Sequence, residues 1–195
     1  MNNLFTVVNR TLFSLKSTVV ATILVSLSLT GCGSSSSSGD SDEHTDTDID
    51  TLGRLVAYDP DEAAVKVLDL DSGEVLDSYA LAGEDPRLYA SPNKRYAVLT
   101  QRSDDLVSFV DSGLYTEDHG DHLHDYAEDP ASLSFTLSGS KPTHFSVHDH
   151  HAVVFFDAEE GLTSSVMVLS DASIGAGETI GELALSNYMH GVAKI

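Results

Sequence analysis

One strand pattern recurs along this chain and limits what it can build. Val65-Lys66-Val67-Leu68-Asp69 returns as Val107-Ser108-Phe109-Val110-Asp111 and, more loosely, as Val166-Met167-Val168-Leu169-Ser170. A second series begins Pro86-Arg87-Leu88-Tyr89-Ala90 and returns as Pro142-Thr143-His144-Phe145-Ser146. Each copy of that series is followed by a turn and an apolar strand, Tyr96-Ala97-Val98-Leu99 and Ala152-Val153-Val154-Phe155-Phe156. Few identities are shared, so the signal is the order of strand and turn types. That order fits four-stranded antiparallel units of about 45 residues, the size of a propeller blade. A β-sandwich also spaces its strands evenly, but it has no reason to repeat one strand order. Further strands are expected at Arg54–Tyr58, Ala64–Asp69 and Val75–Leu81, and no helical periodicity follows the leader. The expected fold is all-β: a β-propeller domain over 53–195 with about three blades present.

The interval between copies is uneven, and the unevenness is informative. The first two copies start 42 residues apart, at Val65 and Val107, and the next two 59 apart, at Val107 and Val166. The surplus of 17 residues lies between Asp111 and Val166, the interval that holds Glu117-Asp118-His119-Gly120-Asp121-His122-Leu123-His124-Asp125. Insertions in repeat folds collect in loops on one face, and such loops carry function. Three histidines and four carboxylates within nine residues are donors suited to a borderline-soft divalent ion such as zinc. In an extended segment His122 and His124 share a face, and Gly120 lets the backbone bend so that His119 joins them. Glu117, Asp121 and Asp125 are placed to orient the rings. The competing reading of the insertion, around 112–130, is a solvated acidic loop.

Charge and leader narrow the function classes. The formal net charge is −21, and residues 1–31 carry Arg10 and Lys16 but no acid. The remainder holds 31 acidic against 8 basic residues, a net of −23 that repels nucleic acid and anionic lipid and concentrates cations. The apolar run Thr18–Leu29 is short for a membrane span and leads into Leu29-Thr30-Gly31-Cys32. That stretch resembles a bacterial lipobox, which implies cleavage after Gly31 and lipidation of Cys32. Residues 1–31 are then a lipoprotein signal peptide, and the membrane is met only through the lipid anchor. Gly33 after the cysteine resembles the outer-membrane sorting pattern. Cys32 is the single cysteine, so no thiol remains for metal binding or catalysis. Residues 32–52, with Ser34–Ser38 and six acids between Asp40 and Asp50, read as a flexible, self-repelling tether.

The remaining histidines divide. His144 takes the repeat position of Leu88, on the innermost strand of its blade, and His190 is expected to start the equivalent strand of the next. Both could face the channel and complete a site with the inserted loop, or each could be a histidine satisfied by a carbonyl. His148-Asp149-His150-His151 falls where Pro92-Asn93-Lys94-Arg95 makes a turn and is expected to be that turn.

Taken together, His119-x-Asp121-His122-x-His124 in a blade insertion, the Pro142-Thr143-His144-Phe145 strand and the exported propeller resemble the AztD-type zinc metallochaperones of bacterial periplasms. The resemblance covers about 53–195. It implies a zinc-binding protein that hands its ion to the solute-binding protein of a zinc ABC importer, with His119, His122, His124 and His144 as ligands. Two features depart from that family: the lipobox implies a tethered protein, and seven or eight blades would need roughly 320–360 residues. A fragment or truncated product is therefore expected. Two alternatives stand beside this reading. Glu117-x-His119-x-Asp121-His122 partly resembles the metallo-β-lactamase signature, which suggests a metal-dependent hydrolase, although no helices are expected to flank a sheet. A metal-free interaction propeller is the other.

Overall fold

The computed structural model describes residues 48–190. The expected signal peptide, Cys32, most of the expected tether, and residues 191–195 lie outside the described residues.

Three antiparallel sheets follow one another along the chain. The first is β1 (Arg54–Asp59), β2 (Ala64–Asp69) and β3 (Val75–Ala80). The second joins β4 (Arg87–Ala90), β5 (Tyr96–Gln101), β6 (Leu106–Asp111) and β9 (Ala131–Ser138), in that order. The third is β10 (Pro142–His148), β11 (His151–Phe156), β12 (Ser165–Leu169) and β13 (Gly181–Ala184). These are propeller blades with the strand order that the repeats imply. Pairing of Leu88 with Leu99 and of His144 with Phe155 makes β4–β5 and β10–β11 equivalent, strand for strand. The strands that carry the first repeat, β2, β6 and β12, each hold the same inner place in their sheet. Among the described residues, the first sheet has no counterpart of β4 and β10.

Alternation along β5 explains how the sheets stack. Successive side chains of a strand face opposite ways. Ala97 and Leu99 join Val65, Val67 and Val110 in one buried cluster, toward the first sheet. Tyr96 and Val98 join Val107, Phe109, Val154, Phe156 and Leu169 in the other, toward the third. All six residues of β5 are buried, the pattern of a strand covered on both faces. Phe109 and Phe156 are fully buried, and Phe109 stacks on Phe135 with centroids 5.3 Å apart.

Two elements were not expected as such. A six-residue helix, α1 (Asp171–Ala176), follows β12. Ser170 caps it in a capping box with Ser173, and Gly177 ends it in a left-handed conformation. The insertion is not an open loop but a hairpin with its own ladder, β7 (Leu114–Asp118) and β8 (Leu123–Ala127). It stands between β6 and β9, which pair with each other as though it were absent. Most of the 17 surplus residues go to this projection, and the rest to the longer connection between β11 and β12. Its root is fixed by Gly113 at φ 72°, whose carbonyl accepts from Glu128 N–H at 2.7 Å. The Arg54 guanidinium clamps both sides of the root through the carbonyls of Ser112 and Glu128. Arg95 is held by Asp111 at 2.8 Å and lies 3.6 Å from the centroid of the Tyr115 ring. Tyr115 stacks on its cross-strand neighbour Tyr126.

Candidate metal centre

The hairpin puts His122, His124 and Tyr126 on one face by the period-2 rule, and Glu117 lies opposite His124 in the ladder. The turn between the strands closes with His119 N–H donating to His122 O at 3.0 Å. Gly120 sits at φ 91°, and its N–H reaches Asp118 Oδ1 at 2.7 Å. This bend carries His119 back over the other two rings. Centroid separations are 5.5 Å for His119–His122, 5.0 Å for His119–His124 and 4.6 Å for His122–His124. Asp121 Oδ1 meets His122 Nδ1 at 2.7 Å, and Glu117 Oε2 is 3.7 Å from His119 Nε2. Asp125 has a different task from the ring-orienting one expected of it. One of its oxygens accepts from the Thr116 hydroxyl at 2.6 Å and the other from Ile49 N–H at 3.1 Å. These bonds hold its carboxyl below the usual carboxylate range.

His144 and His190 belong to a second group. Their ring centroids are 5.3 Å apart, and both reach Asp157, which follows β11 and has no exposed surface. His190 Nδ1 is 2.7 Å from Asp157 Oδ2. His144 Nε2 is 4.0 Å from Asp157 Oδ1, too far for a hydrogen bond, and both atoms are buried without a partner. The Arg102 guanidinium stands 3.5 Å from Oδ2. His190 is the last described residue and follows an irregular stretch, and the strand expected to start with it lies outside the described residues. Buried Ser164 places it, donating to the Asp157 carbonyl at 2.6 Å and accepting from Met189 N–H at 2.8 Å.

The two groups lie at opposite ends of the blades, so His144 and His190 are not the completion of the loop site that the sequence suggested. The hairpin is rooted beside Asp111, which pairs with Tyr96 at the start of β5. Arg102, which touches Thr143 and Asp157, follows the far end of that strand, roughly 17 Å away for six extended residues. The third sheet agrees. Glu117 and Asp125 line a cavity of about 1200 Å³ together with Asp171, Ala172 and Gly175 of α1. That helix follows Leu169, which pairs with Ala152 at the end of β11 remote from Asp157.

The second group fits a metal ion. Ligands that each sit about 2.0–2.2 Å from one ion stand about 3–4 Å apart. Among the described residues, His144, Asp157 and His190 form the set of three or more whose ligand atoms all lie within 4.8 Å of one another. An unpaired imidazole nitrogen and an unpaired carboxylate oxygen facing each other in a buried position are costly unless something bridges them. A divalent cation would bridge them, with one charged and two neutral donors of the kinds zinc takes. Asp157 escaped the sequence reading, although a signal existed. In the repeat alignment it matches Gln101, which is buried with an unpartnered Nε2, so that place holds a buried polar group in both blades. The sequence His148–His151 does make the turn expected of it, with Asp149 and His150 between β10 and β11.

No family model matches the chain. The zinc chaperone AztD of Citrobacter koseri is 30% identical over 144 residues, covering 73% of this chain and 33% of that protein. The crystal structure of Citrobacter koseri AztD superposes with a TM-score of 0.62 at 28% identity, covering 71% of this chain and 36% of that one. A structure of apo AztD from the same organism gives 0.60 at 26% identity with the same coverage. The chain spans about a third of the length of the relative it matches. By sequence and by fold together, the described blades are related to the zinc chaperone AztD over that third.

Proposed function

We propose that this chain is a zinc metallochaperone with two metal-binding groups, an exposed one on the hairpin and a more buried one at the opposite end of the blades. The observation that carries the reading is the facing pair of buried, unpartnered atoms, His144 Nε2 and Asp157 Oδ1, with His190 on the same carboxylate. His119, His122 and His124 supply the hairpin ligands, with Asp121 and Glu117 orienting the rings. The net charge of −21 draws cations toward both. Zinc is the metal favoured, since the donors are imidazole and carboxylate without thiolate. The Citrobacter koseri relative is a chaperone, and we read this chain likewise as a carrier rather than an enzyme. Its expected recipient is the solute-binding protein of a zinc ABC importer in the bacterial periplasm, with Cys32 as the lipid anchor. Nucleic acid is not a partner on charge grounds.

Zinc titration tests the reading in full-length protein, in a His119/His122/His124→Ala variant and in a His144/His190→Ala variant. Each variant should lose one binding component, and transfer to a zinc solute-binding protein should require both. Unchanged stoichiometry in both variants would remove the basis of the proposal. Mass spectrometry of the membrane fraction tests the anchor: an uncleaved chain with unmodified Cys32 would overturn it.

A further inference from the structure

Arg102 borders the His144–Asp157–His190 group. It opens the short 3-10 turn Arg102–Asp104 that follows β5, and its side chain is 51% exposed. Nε donates to Thr143 Oγ1 at 3.1 Å, one residue before His144, while Nη2 stands 3.5 Å from Asp157 Oδ2. Asp157 is thereby shared by a cation on one oxygen and an unpartnered imidazole nitrogen facing the other.

We propose that Arg102 is a tethered competitor for the His144–Asp157–His190 site, a built-in cation that weakens metal binding and speeds release. The inference rests on reading that group as a metal site. A carboxylate with no exposed surface is costly without a counter-charge. Arg102 supplies one when no metal is present. A divalent ion on the same carboxylate then faces a guanidinium that stays charged at any physiological pH, and the two repel where solvent screens poorly. Binding must push the arginine aside or accept its repulsion. The half-exposed side chain has room to turn into solvent, since the contacts that hold it are one hydroxyl and one long ion pair. As metal departs, the guanidinium returns to Asp157, so release does not strand a buried anion. A carrier has to yield its cargo as well as hold it, and this arrangement favours the yielding.

The test uses full-length protein carrying His119/His122/His124→Ala, so that the hairpin does not contribute. Zinc affinity is measured against a chromogenic chelator, release by stopped-flow into excess chelator, and thermal unfolding without metal. Arg102→Gln should tighten binding on the order of tenfold. It should slow release in proportion and lower the unfolding temperature of the metal-free protein. Arg102→Lys keeps the charge and should stay near the parent affinity, which also guards against a glutamine variant that folds poorly. Asp157→Asn should abolish the site in either background. If Arg102→Gln leaves affinity and release unchanged, or weakens binding, while Asp157→Asn abolishes the site, the competitor role is wrong and the metal site stands. If Asp157→Asn leaves zinc binding intact, the metal site itself is wrong, and the role of Arg102 falls with it.

Discussion

Gly113→Ala should unseat the histidine hairpin while leaving the far end of the blades alone. Gly113 holds φ 72°, a left-handed conformation that costs an L-residue about 1–2 kcal/mol. A Cβ there would also run into the Glu128 carbonyl and lie 2.6 Å from Arg54 Nη1. The carbonyl belongs to the backbone that pairs across the root, since Glu128 N–H donates to Gly113 O. Relief therefore takes a shift of that backbone together with a move of Arg54, which surrenders its bonds to the Ser112 and Glu128 carbonyls. Charge-assisted bonds of that kind contribute about 1.5–3 kcal/mol. Conformational strain plus one such loss comes to about 3 kcal/mol, which lowers Tm by roughly 6–12 °C in a chain of this size. Differential scanning calorimetry checks the stability, and zinc titration checks the site. The hairpin component should weaken because His119, His122 and His124 depend on the ladder above this root. The His144–Asp157–His190 component should be unchanged at temperatures where the protein remains folded. An unaltered Tm with intact hairpin binding would refute the claim that Gly113 and Arg54 fix the root.

Three further outcomes follow from the same geometry. Phe109→Ala removes a fully buried ring stacked on Phe135 between the second and third sheets, and should cost about 3–5 kcal/mol in chemical denaturation. Asp125 should remain ionised below the ordinary carboxylate value of 3.8, because Thr116 and Ile49 donate to it. Its depressed pKa means the stabilising contact is complete above that value and is lost only as pH falls through the lower, folded-state one. The Ile49 amide resonance should report this, and a midpoint at or above 3.8 would contradict it. Zinc affinity at both groups should decline as pH drops below about 6, since imidazole must shed its proton to coordinate and free imidazole titrates near 6.5. Competition titrations at pH 5.5 and 7.5 that agree would argue against imidazole ligands.

Part of this protein is written locally, and that part was legible in order along the chain. The alternation in Ala64–Asp69 and Leu106–Asp111 fixes strands, because a strand that exposes one face must repeat every two residues. The recurrence of strand and turn types fixes the blades, and the extra spacing after Asp111 marks the insertion. The clustering of His119, His122 and His124 follows from period 2 and one glycine, so it too needed no tertiary information. Helix α1 was less visible. Six residues are under two turns and show no periodicity, and only Ser170, Ser173 and Gly177 announce it. What the sequence left undecided was which histidines share a site. His144, Asp157 and His190 span 47 residues and meet only because β10 pairs with β11 while Ser164 ties the 185–190 segment back to Asp157. Separation of the hairpin from that group depends on which end of β6 the insertion leaves, a property of sheet register rather than of any motif. Long-range pairing alone places an unpartnered imidazole nitrogen opposite an unpartnered carboxylate oxygen, because burial and distance are properties of the packed blades and not of neighbouring residues.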